Sequence, residues 1–113
     1  NDMGSPRVIA GEHSTHSLIT REYVDKFGIR DEPGVDVPGQ VLCDQYPHEF
    51  LDDELIETAR YRGALAFAFD SEVRHRHPNW DKSVPVDRLY AGQQARMRVG
   101  RPIYLRRQHL WTT

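Results

Sequence analysis

Apolar positions recur along the 113-residue chain with helical spacing in three places and with period two in others. Tyr23, Val24 and Phe27 share one helical face. Thr20 before them can cap, Ile19 can staple onto Val24, and Gly28 stands where a left-handed C′ residue belongs, so a helix is predicted over residues 21–27. Leu51, Leu55, Ile56 and Ala59 mark a second helix, opening at Asp52 or Asp53 and running to about Arg62, with Gly63 ending it. Val86, Leu89, Tyr90 and Met97 fit i, i+3, i+4 and i+11 of a third, with Pro85 in its first turn. Residues 64–69 alternate small and large, the pattern of a strand with Leu65, Phe67 and Phe69 on the core side. One long helix over residues 51–76 is the competing reading, because alanine favours helix and no proline intervenes. On that helix Leu65 and Phe67 would lie about 160° apart, which favours the strand.

The remaining elements are short. Weak strand patterns fall at residues 8–10 and 41–43, and a final strand is predicted at 103–110, with Ile103 and Leu105 facing one way and Tyr104 and Arg106 the other. Residues 30–40 hold two Pro-Gly pairs and read as a surface connection with two reversals. His77-Pro78 is a break, since the residue before proline avoids helical dihedrals, and Gly100-Arg101-Pro102 reads as a turn. The sum is an α+β fold in a single domain over residues 1–113: about three helices packed on one side of a small mixed or antiparallel sheet. Residues 1–12 are expected to be flexible.

Composition narrows the class. Apolar residues make up 38%, charged residues 28% and aromatics 10%, with a mean hydropathy of −0.70. That describes a folded domain rather than a disordered tail. The longest apolar run, residues 64–69, is far short of the ~20 residues a membrane span needs. No secretory leader is visible in the first residues. The lone Cys43 excludes an internal disulfide framework and fits a reducing compartment, so a soluble cytoplasmic protein is expected.

Charge changes the picture more. Residues 1–73 carry six Lys/Arg against fifteen Asp/Glu, and residues 74–113 carry nine against two, Asp81 and Asp87. Opposite halves of this kind attract each other within one domain or between subunits, so a homo- or hetero-oligomer is expected. Thirteen of the fifteen cations are arginine, whose planar fork suits buried or interfacial carboxylate pairs.

Six histidines carry most of the candidate chemistry. His75-Arg76-His77 is H-x-H, which on an extended segment points both rings to the same side. His13 and His16 form an H-x-x-H pair in a loop. His75, His77 and Glu72, with His13 or His16 arriving from elsewhere, are a candidate site for a divalent metal such as Zn, Fe, Co or Mn. His75, His77 and His48 are candidate acid–base residues, each beside aromatics or proline; Trp80 and Tyr104 are candidate substrate contacts, and Arg101 and Arg107 candidate anion clamps. Cys43 reads either as the nucleophile of a Cys43/His48 pair or, in the reading that is favoured, as a small buried structural residue. Asp52-Asp53-Glu54 reads as the acidic first turn of a helix. No glycine-rich phosphate loop occurs, so no nucleotide cofactor is expected. The function this favours is a small enzyme, or small subunit of one, with a His-lined pocket performing hydrolysis, hydration or proton transfer. An assembly subunit without chemistry is the alternative. A third reading is RNA or polyanion binding through the Arg-rich segment 96–111, which interleaves cations with Tyr104 and Trp111.

Overall fold

The computed structural model describes residues 4–112. Among them five α-helices and a two-stranded sheet follow in the order α1 (Pro6–Ile9), α2 (Arg21–Lys26), β1 (Ile29–Asp31), β2 (Val35–Val37), α3 (Leu51–Tyr61), α4 (Arg88–Ala91) and α5 (Gln93–Arg107), then a 3-10 turn at Gln108–Leu110. Helices and a small antiparallel sheet are mixed as an α+β pattern requires, but the helices are more numerous than the apolar periodicity indicates and the sheet is only a hairpin.

Local chemistry sets the first half. The Thr20 hydroxyl accepts the Tyr23 N–H at 3.1 Å and starts α2. Gly28 ends it at φ 62°, and a Cβ there would stand 1.8 Å from the Val37 carbonyl oxygen, so both backbone conformation and space demand glycine. β1 pairs with β2 from Ile29↔Val37 to Asp31↔Val35. Both Pro-Gly pairs do reverse the chain, and the strands flanking the first are three residues each, too short to leave an alternation in the sequence. α3 follows its predicted span closely; Asp52, Asp53 and Glu54 fill its first turn and Gly63, at φ 67°, closes it.

Four sequence expectations are corrected. Residues 8–10 are not a strand: α1 occupies 6–9, and Val8, 2% exposed, is fully buried. Residues 41–43 form no strand, although Cys43 joins Ile29 and Tyr46 in the core. Residues 64–69 are neither strand nor helix. Residues 103–107 are helical, with Gly100 and Pro102 inside α5 rather than in a turn.

The α5 result has a physical reason. Its inward positions are Arg96, Gly100, Ile103 and Arg107, spaced 4, 3 and 4, so the helical period is present but carried by arginine and glycine. Gly100 is buried because a Cβ there would meet the Glu49 carbonyl oxygen at 2.7 Å and the Phe50 ring at 3.0 Å. Close approach of α5 to that turn offsets the usual cost of glycine inside a helix, about 1 kcal/mol. Phe50 itself is left-handed at φ 76°, which places its ring 5.4 Å from Tyr104; Tyr104 in turn lies 5.4 Å from Trp111. Val86 and Leu89, read as inward positions, are 67% and 57% exposed, since α4 begins only after the Asp87 cap.

Candidate functional site

Three constellations gather the chemistry-bearing side chains, and they differ in kind. The most buried is an ion-pair clasp. Glu54 on α3 and Arg107 at the end of α5 are 4% and 2% exposed. Arg107 donates to both Glu54 carboxylate oxygens at 3.0 and 2.8 Å, to Asp31 Oδ1 at 2.9 Å and to the Arg30 carbonyl at 2.8 Å. The Tyr46 hydroxyl donates to Glu54 Oε2 at 2.5 Å. Hydrogen bonds from Arg107 and from the Glu32 N–H hold the Asp31 carboxyl below its ordinary range. The Tyr46 phenol is pushed up by burial and by its bond to Glu54, and the Arg107 guanidinium is raised chiefly by Glu54. Arg107 is thus committed to holding the fold and is withdrawn as a substrate clamp: Nε and both Nη atoms are engaged and the residue is shut off from solvent.

The second constellation is a cluster of rings. His77 stacks on Trp80 with centroids 4.6 Å apart and planes 22° apart, and meets the Tyr90 edge at 4.7 Å. His75 lies 5.4 Å from His77 and 5.0 Å from Trp80, and His16 comes edge-on to His75 at 4.9 Å. The Asn79 N–H donates to His77 Nδ1 at 3.1 Å, the Trp80 indole N–H to the His75 carbonyl at 3.0 Å, and the Tyr90 hydroxyl to the Arg76 carbonyl at 3.2 Å. The H-x-H rings do converge, His77 buried and His75 half-buried, through aromatic contact. They do not form a metal site with Glu72. That residue is exposed, and among the described residues no group of three or more His, Cys, Asp or Glu is placed to hold a metal ion.

The third is a cavity of about 370 Å³ between α3, residues 13–20 and residues 64–73. One wall is apolar: Leu55, Ile56 and Ala59 from α3 face Leu65, Phe67 and Val73. Residues 13–20 bring most of the polar groups, His13, Ser14, His16, Ser17 and Thr20, together with the apolar Leu18 and Ile19, and Ser71 adds a hydroxyl from the 64–73 side. None of the lining residues is Lys, Arg, Asp or Glu, in a chain where 28% of residues are charged. Phe67 closes one side against Gly11, where a Cβ would stand 3.1 Å from the ring. The Thr15 hydroxyl and His16 Nδ1 are 3.0 Å apart, which fixes that ring at the rim. Just outside, the Asp52 carboxyl reaches solvent but is flanked by protein; this desolvation, with the Asp53 charge, raises it, while His13, His48 and His16 act against the rise.

The other sequence-selected residues disperse. His48 is exposed and acts on this region only through its charge on Asp52. Cys43 is buried, and burial pushes its thiol up, away from the thiolate a nucleophile needs. Tyr104 belongs to the Phe50–Trp111 packing, and Arg101 stands exposed on α5 and does not line the cavity. Sequence reasoning missed Tyr90, Asp52 and the wall formed by residues 64–68; only the H-x-x-H pair at His13 and His16 pointed to the rim. Comparison with protein-family models, with characterised proteins and with solved structures finds no match.

Proposed function

We propose that the protein binds a small, neutral, mostly apolar molecule in this cavity and performs proton-transfer chemistry, hydrolysis or hydration, on its polar end. The observation that carries the reading is the composition of the lining: alkyl and aromatic groups chiefly from α3 and residues 64–73, hydroxyls and imidazoles chiefly from residues 13–20, and no charged side chain among them. A pocket built this way favours a ligand with one hydrogen-bonding end and disfavours an ionised one, whose desolvation nothing there repays. Imidazole is the side chain suited to take and return a proton near neutrality, and His13 and His16 stand at the polar wall in that capacity. His75, edge-on behind His16, is a positioning residue.

Two measurements test this. Nile red, a neutral apolar dye, should bind saturably, and Ala66→Leu, which narrows the cavity, should weaken binding several-fold. Release of nitrophenolate from p-nitrophenyl butyrate should exceed the buffer rate and fall on His13→Ala or His16→Ala while Nile red still binds. Dye binding indifferent to Ala66→Leu removes the cavity from the account. Intact dye binding with no hydrolysis or hydration leaves a binding domain without chemistry.

A further inference from the structure

α5 sorts its arginines by face, and among the described residues the outward set meets no carboxylate. After Asp87 the chain carries no Asp or Glu, but six arginines: 88, 96, 98, 101, 106 and 107. Arg96 and Arg107 point inward, Arg96 to both Glu49 oxygens at 2.9 to 3.2 Å and Arg107 to Glu54 and Asp31. Arg88, Arg98, Arg101 and Arg106 are exposed, and none lies in an ion pair among the described residues; Arg106 reaches only the Gln45 side-chain oxygen. The contrast with the first half is sharp: Arg7, Arg21, Arg30, Arg60 and Arg62 each meet a carboxylate. Arg98 and Arg101 are i, i+3 neighbours, a like-charge spacing that destabilises an isolated helix.

We propose that this outward face of α5 is a contact surface for the phosphate backbone of a double-stranded nucleic acid. Arginine's planar fork pairs with phosphate oxygens in a bidentate manner. Arg98 to Arg106 span about 12 Å of helix axis, a distance over which a DNA duplex presents roughly seven charges. Double-stranded rather than single-stranded partners fit, because the sole aromatic residue of α5, Tyr104, packs inward and offers no base a stacking surface. A second copy of the chain fits less well, since Asp25, Asp31, Asp36, Glu49, Asp53, Glu54 and Glu57 are already held by arginines within the molecule. A membrane surface fits poorly too. Interfacial helices bury a broad apolar face, and here Val99 and Leu105 are the only large exposed apolar residues of α5.

Fluorescence anisotropy with a labelled random-sequence DNA duplex of about two turns decides the matter. Binding should weaken with salt, with log K falling against log[NaCl] at a slope of about −3, the value for three to four neutralised phosphates. Arg98→Glu with Arg101→Glu should lose at least tenfold in affinity, whereas Arg21→Glu on α2 should change little. The milder Arg98→Gln/Arg101→Gln pair, checked by circular dichroism, covers loss of folding in the charge-reversed protein. No binding at about 20 mM salt overturns the proposal, as does binding untouched by either double variant. Tighter capture by phosphatidylserine vesicles, or displacement of the duplex by polyglutamate at equal charge, would assign the face to a membrane or an acidic protein and likewise overturn it. None of these readouts involves the cavity.

Discussion

The end of the molecule closed by Arg107 and the stretch between α3 and α4 are built on opposite terms. At the clasp, a buried, bidentate guanidinium–carboxylate pair is fully engaged with a phenol, a half-exposed second carboxylate and a backbone carbonyl. Residues 62–87 have no helix or strand, and apolar side chains such as Phe69 (64% exposed) stay in water. Connections of that length inside a small domain are uncommon unless they carry function. Polar satisfaction therefore fixes the frame, and the apolar segment is left free to shape a cavity. The hydrophobic residues of this stretch at 64–73 line the cavity or face water, and none in the whole stretch is in the buried core.

The largest test of that contrast is a pair of truncations. Arg107→Ala should cost about 3–5 kcal/mol, because it leaves the Glu54 carboxylate buried and uncompensated, while Glu54→Leu with Arg107→Met should cost far less. Leu65→Ala, at the cavity wall, should cost under about 1 kcal/mol. Urea denaturation measures all three; equal losses at Arg107 and Leu65 would erase the distinction. Next, Gly100→Ala should destabilise by about 1–3 kcal/mol through its clash with Glu49 and Phe50, despite alanine's better helix propensity; a stabilised variant would mean that α5 can back away from the turn. The smallest effect concerns pH. Asp31 ionises more readily folded than unfolded, so its contribution is present above the ordinary carboxylate pKa, about 4, and is lost as pH falls below it. Its side chain is 44% exposed, so screening reduces the effect to a few tenths of a kcal/mol. Asp31→Asn should flatten the acid limb of the stability curve by about that amount, and an unchanged limb would show that the carboxylate is not coupled to Arg107.

What could be read from the sequence follows the same division. α2 and α3 were legible because cap, apolar face and terminating glycine agree within one short window. α5 was not, because its inward face is written in Arg96, Gly100 and Arg107, residue types that ordinarily mean surface, and because Pro102 reads as a stop. Glu54 held a readable signal: it shares a helical face with Leu51, Leu55 and Thr58, where the first-turn acidic explanation covers Asp52 and Asp53 only. The wall at 64–68 was hidden by its own regularity. Small–large alternation indicates a strand, yet all five residues border the cavity, so both sides of the alternation are in use. The H-x-H spacing did bring His75 and His77 together, while the approach of Trp80, Tyr90 and His16 depends on turns that no local pattern encodes.

The bond between Arg107 and Asp31 also dictates a timetable. Its partners are separated by 76 positions, and a chain growing at roughly 5 to 20 residues per second makes its carboxylates seconds before the guanidinium that must neutralise them. Without α5, Glu54 and Tyr46 keep their bond to each other but lack the guanidinium that neutralises the carboxylate. Closure of the clasp therefore waits on α5, which brings the one guanidinium that reaches both Glu54 and Asp31.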